Sequence, residues 1–268
     1  MKLRTGLIGF IALLLSLPAW AADFYILGVQ DYVRSPIIVV REYQGLANYL
    51  GRQLKKPVRV EAVKTYDEYM KKAQAGRYDF MYAPPSMIMK ANRLAGYEPV
   101  VKIPGLLSAA FMALADSNIA FPEDMKGKRI GFYEKDAMIT QLALAELKAM
   151  GIDPAKYFRS VTFYSDATAV LNALQYRLID VGVAASPLFN VWTNRGYNLV
   201  LVLQGKGMPH LTFAVRKDFP QKALLTQALL KAHEDAEAAE YFKFNGYTHF
   251  EPARLADYDE LVKFLDIK

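Results

Sequence analysis

The sequence of 268 residues contains no cysteine, only two tryptophans and only three histidines. Without cysteine the chain can form no disulfide, no thiolate metal site and no lipid-modified cysteine at the start of a mature chain. The histidines are His210, His233 and His249, and none lies in a His-Glu-x-x-His or His-x-His pattern. We therefore expect no metal site. We keep only His210 as a candidate ligand-binding residue, because it follows Gly207-Met208-Pro209 in a loop that returns from one half of the chain to the other.

Several motifs of catalysis and nucleic-acid binding are also missing. The sequence has no Gly-x-Ser-x-Gly elbow and no phosphate-binding Gly-x-x-x-x-Gly-Lys-Ser/Thr loop. The formal net charge is +6, but the basic residues are scattered and do not alternate with aromatics. A surplus of this kind favours solubility and is not the charge pattern of a nucleic-acid-binding surface. We predict no cofactor and no nucleic-acid partner, and an enzyme is the less favoured alternative.

Long apolar runs are absent except at the start of the chain. Lys2 and Arg4 precede the run Leu7–Leu17, which breaks at Pro18 and ends in Ala19-Trp20-Ala21. This order is typical of a secretory signal peptide. A membrane anchor is the alternative, but spanning a bilayer takes about 20 apolar residues. We predict that residues 1–21 are cleaved off and that a periplasmic chain without stable membrane insertion remains.

The most informative stretch is residues 76–100. An apolar strand, Phe80–Ala83, stops at Pro84-Pro85, and a helix runs from there to about Ala95. Proline cannot donate a ladder hydrogen bond but fits the first turn of a helix, where Ser86 can act as a cap. Ligands bind at the carboxyl ends of the strands in open α/β sheets. Tyr82 and Ser86 are therefore the first candidates for a binding site.

The alternation of strands and helices occurs twice along the chain and predicts an α/β fold with two lobes. Each lobe is expected to be a mostly parallel sheet flanked by helices, because helical connections join parallel strands. We assign residues 22–104 and 206–268 to lobe one and residues 105–205 to lobe two. Two crossings between the lobes predict a hinge and a cleft, and such a cleft is a preferred place for a small-molecule ligand. We expect a monomer.

Tyrosines recur at or just beyond the predicted carboxyl ends of strands. A tyrosine offers a flat apolar face and a hydroxyl group, which suits it to enclosing a small ligand. The alternative is that these rings pack the edges of the lobes. We expect Tyr82→Ala to abolish ligand binding and to leave the melting temperature of the free protein nearly unchanged. The tyrosines concerned are Tyr32, Tyr66, Tyr82, Tyr133 and Tyr164.

The residues around this stretch carry a family resemblance. Asp79, the turn Ala83-Pro84-Pro85-Ser86, Gly96 and Glu98-Pro99 follow the order found in the phosphate/phosphite/phosphonate family of periplasmic binding proteins, which the chain resembles over most of residues 24–260. The resemblance implies the type II periplasmic-binding-protein fold. It also implies capture of a small molecule, a phosphonate- or phosphate-like oxyanion, for an ABC importer, with the ABC permease as partner.

The sequence departs from this family where the relatives hold an oxyanion. Their Ser-Thr-Ser run at a helix N-terminus falls on residues 133–140 here, where the triplet is absent and Tyr133, Asp136 and Thr140 are the remaining candidates. We expect Asp136 to cap this helix, which would repel an anion. The relatives' acidic residue falls near Ser186. We therefore expect a solute other than phosphonate, either larger or partly aromatic, although Arg34, Thr65 and Lys135 are further groups suited to an anion.

These arguments favour a periplasmic solute-binding protein over two alternatives. One is a sensor that presents its ligand to a membrane histidine kinase, and the other is a periplasmic enzyme. The predicted ligand-binding residues are Tyr32, Tyr66, Tyr82, Ser86, Tyr133, Asp136, Thr140, Tyr164, Ser186 and His210.

Overall fold

The computed structural model describes residues 24–30 and 35–268. The predicted signal peptide, Tyr32 and Arg34 lie outside the described residues. The strands are β1 (Tyr25–Gln30), β2 (Val58–Val63), β3 (Phe80–Ala83), β4 (Tyr97–Lys102), β5 (Leu106–Leu107), β6 (Ala109–Leu114), β7 (Arg129–Phe132), β8 (Ser160–Phe163), β9 (Val181–Ala185), β10 (Leu199–Gln204), β11 (Met208–Pro209), β12 (Thr212–Arg216) and β13 (Glu251–Pro252). The α-helices are α1 (Pro36–Leu54), α2 (Tyr66–Gln74), α3 (Pro85–Ala95), α4 (Met138–Ala149), α5 (Pro154–Tyr157), α6 (Ala167–Gln175), α7 (Ser186–Asn194), α8 (Lys222–Lys231), α9 (Ala236–Asn245) and α10 (Asp259–Phe264).

The first sheet has the strand order β13-β4-β12-β3-β1-β2. β1 pairs in parallel with both β2 and β3, whereas β12 pairs antiparallel with β3 and β4. β1 to β4 therefore run in one direction, and β12 runs against them. The helices between β1 and β4 make this possible, because parallel neighbours need a crossover connection.

The second sheet has the order β10-β6-β9-β7-β8. β7 pairs in parallel with β8 and β9, and the reversed strand is β6, which pairs antiparallel with β9 and β10. The predicted α/β fold with two lobes is confirmed, but each sheet is mixed: parallel pairings occur at one side and antiparallel pairings at the other.

Two crossings connect the sheets, and they pair with each other as the short antiparallel ribbon β5–β11. The returning strand β12 begins at Thr212, which pairs with Ala83 and with Lys102 at the carboxyl ends of β3 and β4. Likewise β6 begins at Ala109, opposite Ala185 at the carboxyl end of β9. Since both crossings leave from these edges, the carboxyl edges of the two sheets face each other.

Both faces of the first sheet are covered. On one face, Val29 and Tyr82 share an apolar cluster with residues of α1, α8 and α9. On the other face, Ile26 shares a cluster with Met87 and Ile88 of α3. Each large apolar side chain that is fully removed from water contributes about 1.5–3 kcal/mol to stability. This packing holds the sheet in place between its two helical layers.

The C-terminal part of lobe one is helical but does not form one continuous helix. The structure has α8 and α9 instead, separated by a 3-10 turn at Ala232–Glu234. Asp235 ends one helix and starts the next, because its carboxylate accepts hydrogen bonds from the backbone N–H groups of Glu237 and Ala238 at 3.0 and 3.1 Å. Aspartate is a preferred N-cap residue for this reason.

Among the residues that the structure describes, no helix is both long enough and apolar enough to pass through a bilayer.

Candidate functional site

The site is built from helices that begin at the facing edges of the two sheets. In the first sheet, β3 ends at Ala83 and α3 begins two residues later, with Pro84 at the N-cap position. No side chain caps this helix, so the expectation that Ser86 is the cap is wrong. Ser86 is the second residue of the helix and is buried. The first turn of α3 therefore keeps its partial positive charge directed at the edge of the sheet.

In the second lobe, α4 also begins without a side-chain cap. The N-cap residue is Ala137, so the prediction that Asp136 caps this helix is wrong. Asp136 is exposed, and its backbone carbonyl accepts a hydrogen bond from Nε2 of Gln141 at 3.2 Å. The carboxylate was expected to repel an anion, but it does not occupy the start of the helix.

Thr140 lies in the first turn of α4 and is completely buried. Its hydroxyl group has no hydrogen-bond partner in the structure. A buried polar group without a partner costs about 1–3 kcal/mol. Among the sequence-predicted residues, Thr140 has the geometry that most strongly indicates a ligand.

A third helix start lies beside α4. α7 begins at Ser186, directly after β9, and its N-cap residue Ala185 offers no side-chain cap. The backbone N–H of Ser186 donates to the carbonyl oxygen of Ser108 at 2.9 Å. The hydroxyl oxygen of Tyr133 accepts a hydrogen bond from the backbone N–H of Ala185 at 3.4 Å. Burial raises the pKa of Tyr133, so the phenol stays neutral and remains able to donate its own proton.

Gln30 is a candidate that sequence reasoning missed. It is the last residue of β1 and only 7% exposed. Its side-chain nitrogen Nε2 has no hydrogen-bond partner in the structure. The signal in the sequence was a single amide at the end of the apolar run Tyr25–Val29, at a strand end where ligands bind.

The other predicted tyrosines contribute to packing. Tyr82 is 2% exposed and lies against Phe213 with a distance of 4.7 Å between ring centroids. Its hydroxyl already accepts a hydrogen bond from the hydroxyl of Tyr241, so we omit Tyr82 from the proposed site. The Tyr66 ring lies under the ammonium group of Lys90, with 4.9 Å between Nζ and the ring centroid.

Tyr164 has a similar role in the second lobe. Its ring lies so close to the backbone of Gly131 that a Cβ there would meet the ring at 2.8 Å. The backbone N–H of Tyr164 donates to the carbonyl oxygen of Phe132 at 2.9 Å. The ring therefore packs the β7–β8 end of the second sheet.

His210 lies in the return crossing, between β11 and β12. Its Nδ1 accepts a hydrogen bond from the backbone N–H of Leu211 at 2.7 Å, and its ring contacts Tyr247 edge-on at 5.5 Å. Burial lowers the pKa of His210 to about 4, so the ring is neutral near pH 7. Because Nδ1 is an acceptor, the proton resides on Nε2, which makes His210 a neutral donor at the hinge.

The described residues include no cluster of histidine and carboxylate side chains that could hold a metal ion. What they bring together at the facing edges is a set of neutral donors: the starts of α3, α4 and α7, with Thr140 and Gln30 beside them. Such a set is suited to a group that accepts hydrogen bonds, because helix N-termini favour anions. Two hinged lobes with donors on both facing edges define the class of two-lobed solute-binding proteins.

A family model described as "ABC transporter, phosphonate, periplasmic substrate-binding protein" matches residues 33–258. The match covers most of the chain, so the chain belongs to this family. The resemblance inferred from the sequence and the prediction of a solute-binding protein are confirmed. Membership brings a small-molecule ligand and an ABC permease as partner, and it gives no support to a sensor kinase.

Solved structures agree on the fold. PhnD1 from Prochlorococcus marinus in complex with methylphosphonate has a TM-score of 0.77 at 12% identity, covering 92% of this chain and 99% of that one. The protein XAC2383 from Xanthomonas citri bound to ATP has a TM-score of 0.77 at 17% identity, covering 91% and 96%. A binding protein component of an ABC phosphonate transporter from Pseudomonas aeruginosa has a TM-score of 0.73 at 16% identity, covering 90% and 85%. At these identities the likeness shows the fold.

Proposed function

We propose that this protein captures a small organic oxyanion between its two lobes and delivers it to the permease of an ABC importer. The observation that supports this most directly is the buried, unpartnered hydroxyl of Thr140 in the first turn of an uncapped helix. An anion at this place gains hydrogen bonds from the free backbone N–H groups and the favourable end of the helix dipole. It also relieves the cost of the unpartnered hydroxyl.

Binding is coupled to closure of the lobes. We take residues 22–104 and 206–268 as lobe one and residues 105–205 as lobe two, a division supported by the strands that each sheet contains. The ribbon β5–β11 is the hinge. A solute docks on one lobe and the other closes over it, so that the closed form has the higher affinity and is recognised by the permease. The protein acts as a monomer.

The solute differs from a simple phosphonate. PhnD1 is in complex with methylphosphonate, whereas XAC2383 is bound to ATP. Here Ala137, Met138 and Ile139 precede Thr140, so the helix start offers one side-chain hydroxyl and several buried apolar groups. This composition supports an oxyanion with an apolar or aromatic substituent. Ser86, Tyr133, Ser186 and His210 are further proposed contacts.

The periplasmic role of the family supports the same location for this chain. Export by a signal peptide cleaved after Ala21 is supported by the charge and apolar pattern of residues 1–21. The chain binds its solute without chemical change, so incubation with the solute gives no product.

The test is a thermal-shift screen of the purified mature chain. The probes are methylphosphonate, phenylphosphonate, inorganic phosphate, sulfate, benzoate and ATP, with arginine and glucose as controls. A ligand at 100 times its Kd stabilises the folded state by about 2.7 kcal/mol. We expect at least one oxyanion to raise the melting temperature in proportion to the logarithm of its concentration. A rise with arginine or glucose and with none of the oxyanions would overturn the proposal.

A further inference from the structure

Gln30 points to the face of the first sheet that carries α3. Side chains alternate along a strand, so Ile26, Gly28 and Gln30 share one face of β1. The ring of Tyr78 lies against Gly28 on this face, where a Cβ would meet it at 2.6 Å. Ile26 belongs to the apolar cluster that includes Met87 of α3. At the end of β1, the side chain of Gln30 therefore lies on the side of the sheet where α3 begins.

The backbone around Gln30 is held on both sides. It pairs with Val63 of β2, and the preceding residue Val29 pairs with Tyr82 of β3. Gln30 therefore lies beside the turn at Pro84 that starts α3. Its side chain has little freedom, because it is 93% shielded from solvent at the end of a central strand.

The amide nitrogen of Gln30 is an unpaired donor in this position. Nε2 has no hydrogen-bond partner, whereas most buried polar groups in folded proteins are paired. If this glutamine only filled space, an apolar residue of the same shape could replace it without loss of stability, because that residue carries no unpaired donor. A binding protein has a reason to keep such a donor, since the ligand supplies the missing acceptor.

We propose that Gln30 is a specificity-determining residue of lobe one, which donates a hydrogen bond from Nε2 to an acceptor oxygen of the solute. This inference rests on the proposed function, because the solute must lie between the facing edges. Gln30 acts from the first sheet, while Thr140 acts from the start of α4 on the second. A solute that reaches both donors is held by both lobes at once.

The chemistry of Gln30 selects the kind of group that lies against lobe one. An N–H donor accepts a carboxylate, phosphonate, sulfonate or carbonyl oxygen as partner. An ammonium group brings only N–H donors and would leave both sides unpaired in a buried place, at considerable cost. Gln30 therefore favours oxyanions and carbonyl oxygens and rejects solutes that present an amino group to this lobe.

Two variants of Gln30 test this inference. Gln30→Met keeps the shape and removes the donor, so we expect the ligand-free protein to melt about 2–4 °C higher. We expect the same variant to bind the oxyanion that stabilises the wild type best in the thermal-shift screen about tenfold more weakly. Gln30→Glu places a carboxylate against the oxyanion, and we expect a loss of at least 100-fold.

Gln221 provides the matched control. It lies at the opposite end of the same sheet, and its amide is satisfied: Oε1 accepts from the hydroxyl of Tyr25 at 3.1 Å and Nε2 donates to the carbonyl oxygen of Leu54 at 3.3 Å. Gln221→Met should therefore lower the melting temperature and leave the affinity unchanged. The two methionine variants are expected to shift the melting temperature in opposite directions.

The outcomes separate this inference from the proposed function. A fall in the melting temperature of ligand-free Gln30→Met, or wild-type affinity in that variant, overturns the role of Gln30. If no oxyanion probe binds the wild type, the proposed function fails and the melting temperature alone decides on Gln30. In that case a higher melting temperature of Gln30→Met than of the wild type supports Gln30 as an unpaired donor kept for another solute. A lower melting temperature rejects this role of Gln30.

Discussion

The hydroxyl of Tyr241 donates a hydrogen bond to the hydroxyl of Tyr82 inside lobe one. Both rings are buried, and both contact Phe250, with centroid distances of 5.8 Å from Tyr241 and 6.1 Å from Tyr82. α9 is thereby fastened to the central strand β3. The tyrosine that the sequence suggested as a ligand contact holds the core of the lobe together.

Tyr82→Phe is expected to lower stability and to leave affinity unchanged. It removes the acceptor of the Tyr241 hydroxyl, and an unpaired buried hydroxyl costs about 1–3 kcal/mol. Urea denaturation measures the change in the free energy of unfolding, and isothermal titration with the best oxyanion probe should give a Kd within a factor of two of the wild type.

Tyr82→Ala tests the expectation from the sequence that this variant leaves the melting temperature of the ligand-free protein nearly unchanged. Loss of the whole ring from the core should cost about 3–5 kcal/mol. Tyr176→Phe is the control, because Tyr176 is 77% exposed and its hydroxyl is free to bond to water. A Tyr82→Ala protein that melts like the wild type but no longer binds the probe would restore Tyr82 to the site.

Thr140→Val is expected to weaken binding without destabilising the fold. Valine has nearly the shape of threonine and lacks the unpartnered hydroxyl, so the ligand-free protein should be as stable as the wild type or more so. A hydrogen bond to a charged group is worth about 1.5–3 kcal/mol, which corresponds to an affinity about 10–100-fold lower. Titration calorimetry measures this loss.

Thr226→Val is the matched control for Thr140. Thr226 lies in α8, and its hydroxyl donates to the carbonyl oxygen of Lys222 at 2.9 Å. Its replacement should leave the affinity unchanged. Equal affinities of Thr140→Val and the wild type would remove the start of α4 from the binding site.

His210 should make the fold less stable in mild acid. Its pKa is about 4 in the folded protein, below the ordinary value of 6.5. Between these values the unfolded chain binds a proton that the folded chain does not, so stability falls as the pH is lowered from 6.5 towards 4. At pH 5 the loss is at most about 2 kcal/mol relative to pH 8.

The variant His210→Asn isolates this effect, because Oδ1 of asparagine can replace Nδ1 as acceptor for Leu211. Denaturant unfolding at pH 8 and pH 5 measures how far the free energy of unfolding falls in acid. We expect this fall to be smaller in His210→Asn than in the wild type. Identical pH dependences of the two proteins would show that His210 takes up its proton equally in the folded and unfolded states.

Two glycines of α1 should respond oppositely to alanine. A Cβ at Gly45 would lie 2.4 Å from the backbone carbonyl oxygen of Glu237, so Gly45→Ala must push α9 away from α1. We expect a loss of about 1–3 kcal/mol from this overpacking. At Gly51 the nearest atom to a Cβ would be 3.4 Å away, an ordinary contact.

Gly51→Ala should therefore be neutral or stabilise by up to about 1 kcal/mol, because alanine favours the helix. Thermal and urea unfolding of the two variants measure this contrast. Equal effects at both positions would show that α1 and α9 are not in the close contact described.

The fold class was readable from the sequence because it depends on local patterns. The apolar run Phe80–Ala83, the proline turn and the following helix are all short-range signals, and β3 and α3 lie where they predicted. Thr65 caps α2, a local interaction between neighbouring residues, since its Oγ1 accepts a hydrogen bond from the backbone N–H of Glu68 at 3.3 Å. α8 and α9 are separate helices because Asp235 fits a helix interior poorly and an N-cap well.

The site was less predictable because it depends on which side chains find partners. Asp136 and Ser86 were plausible caps from their positions, yet neither makes a capping hydrogen bond. Tyr82 ends a strand like a ligand contact, but its partners Phe213 and Tyr241 lie more than 100 residues away in sequence. Contacts between residues so far apart in sequence cannot be read from a local sequence pattern.

The sequence by itself determined the strand-helix alternation and the solute-binding class, and it predicted the edge of the sheet at which a ligand binds. Only the tertiary structure decided which polar groups at that edge are left without a partner. Gln30 and Thr140 each lack one, and no local pattern distinguishes them from the other polar residues nearby. The physical reason is that satisfaction of a buried hydrogen-bonding group is settled by long-range packing, which fixes where every possible partner lies.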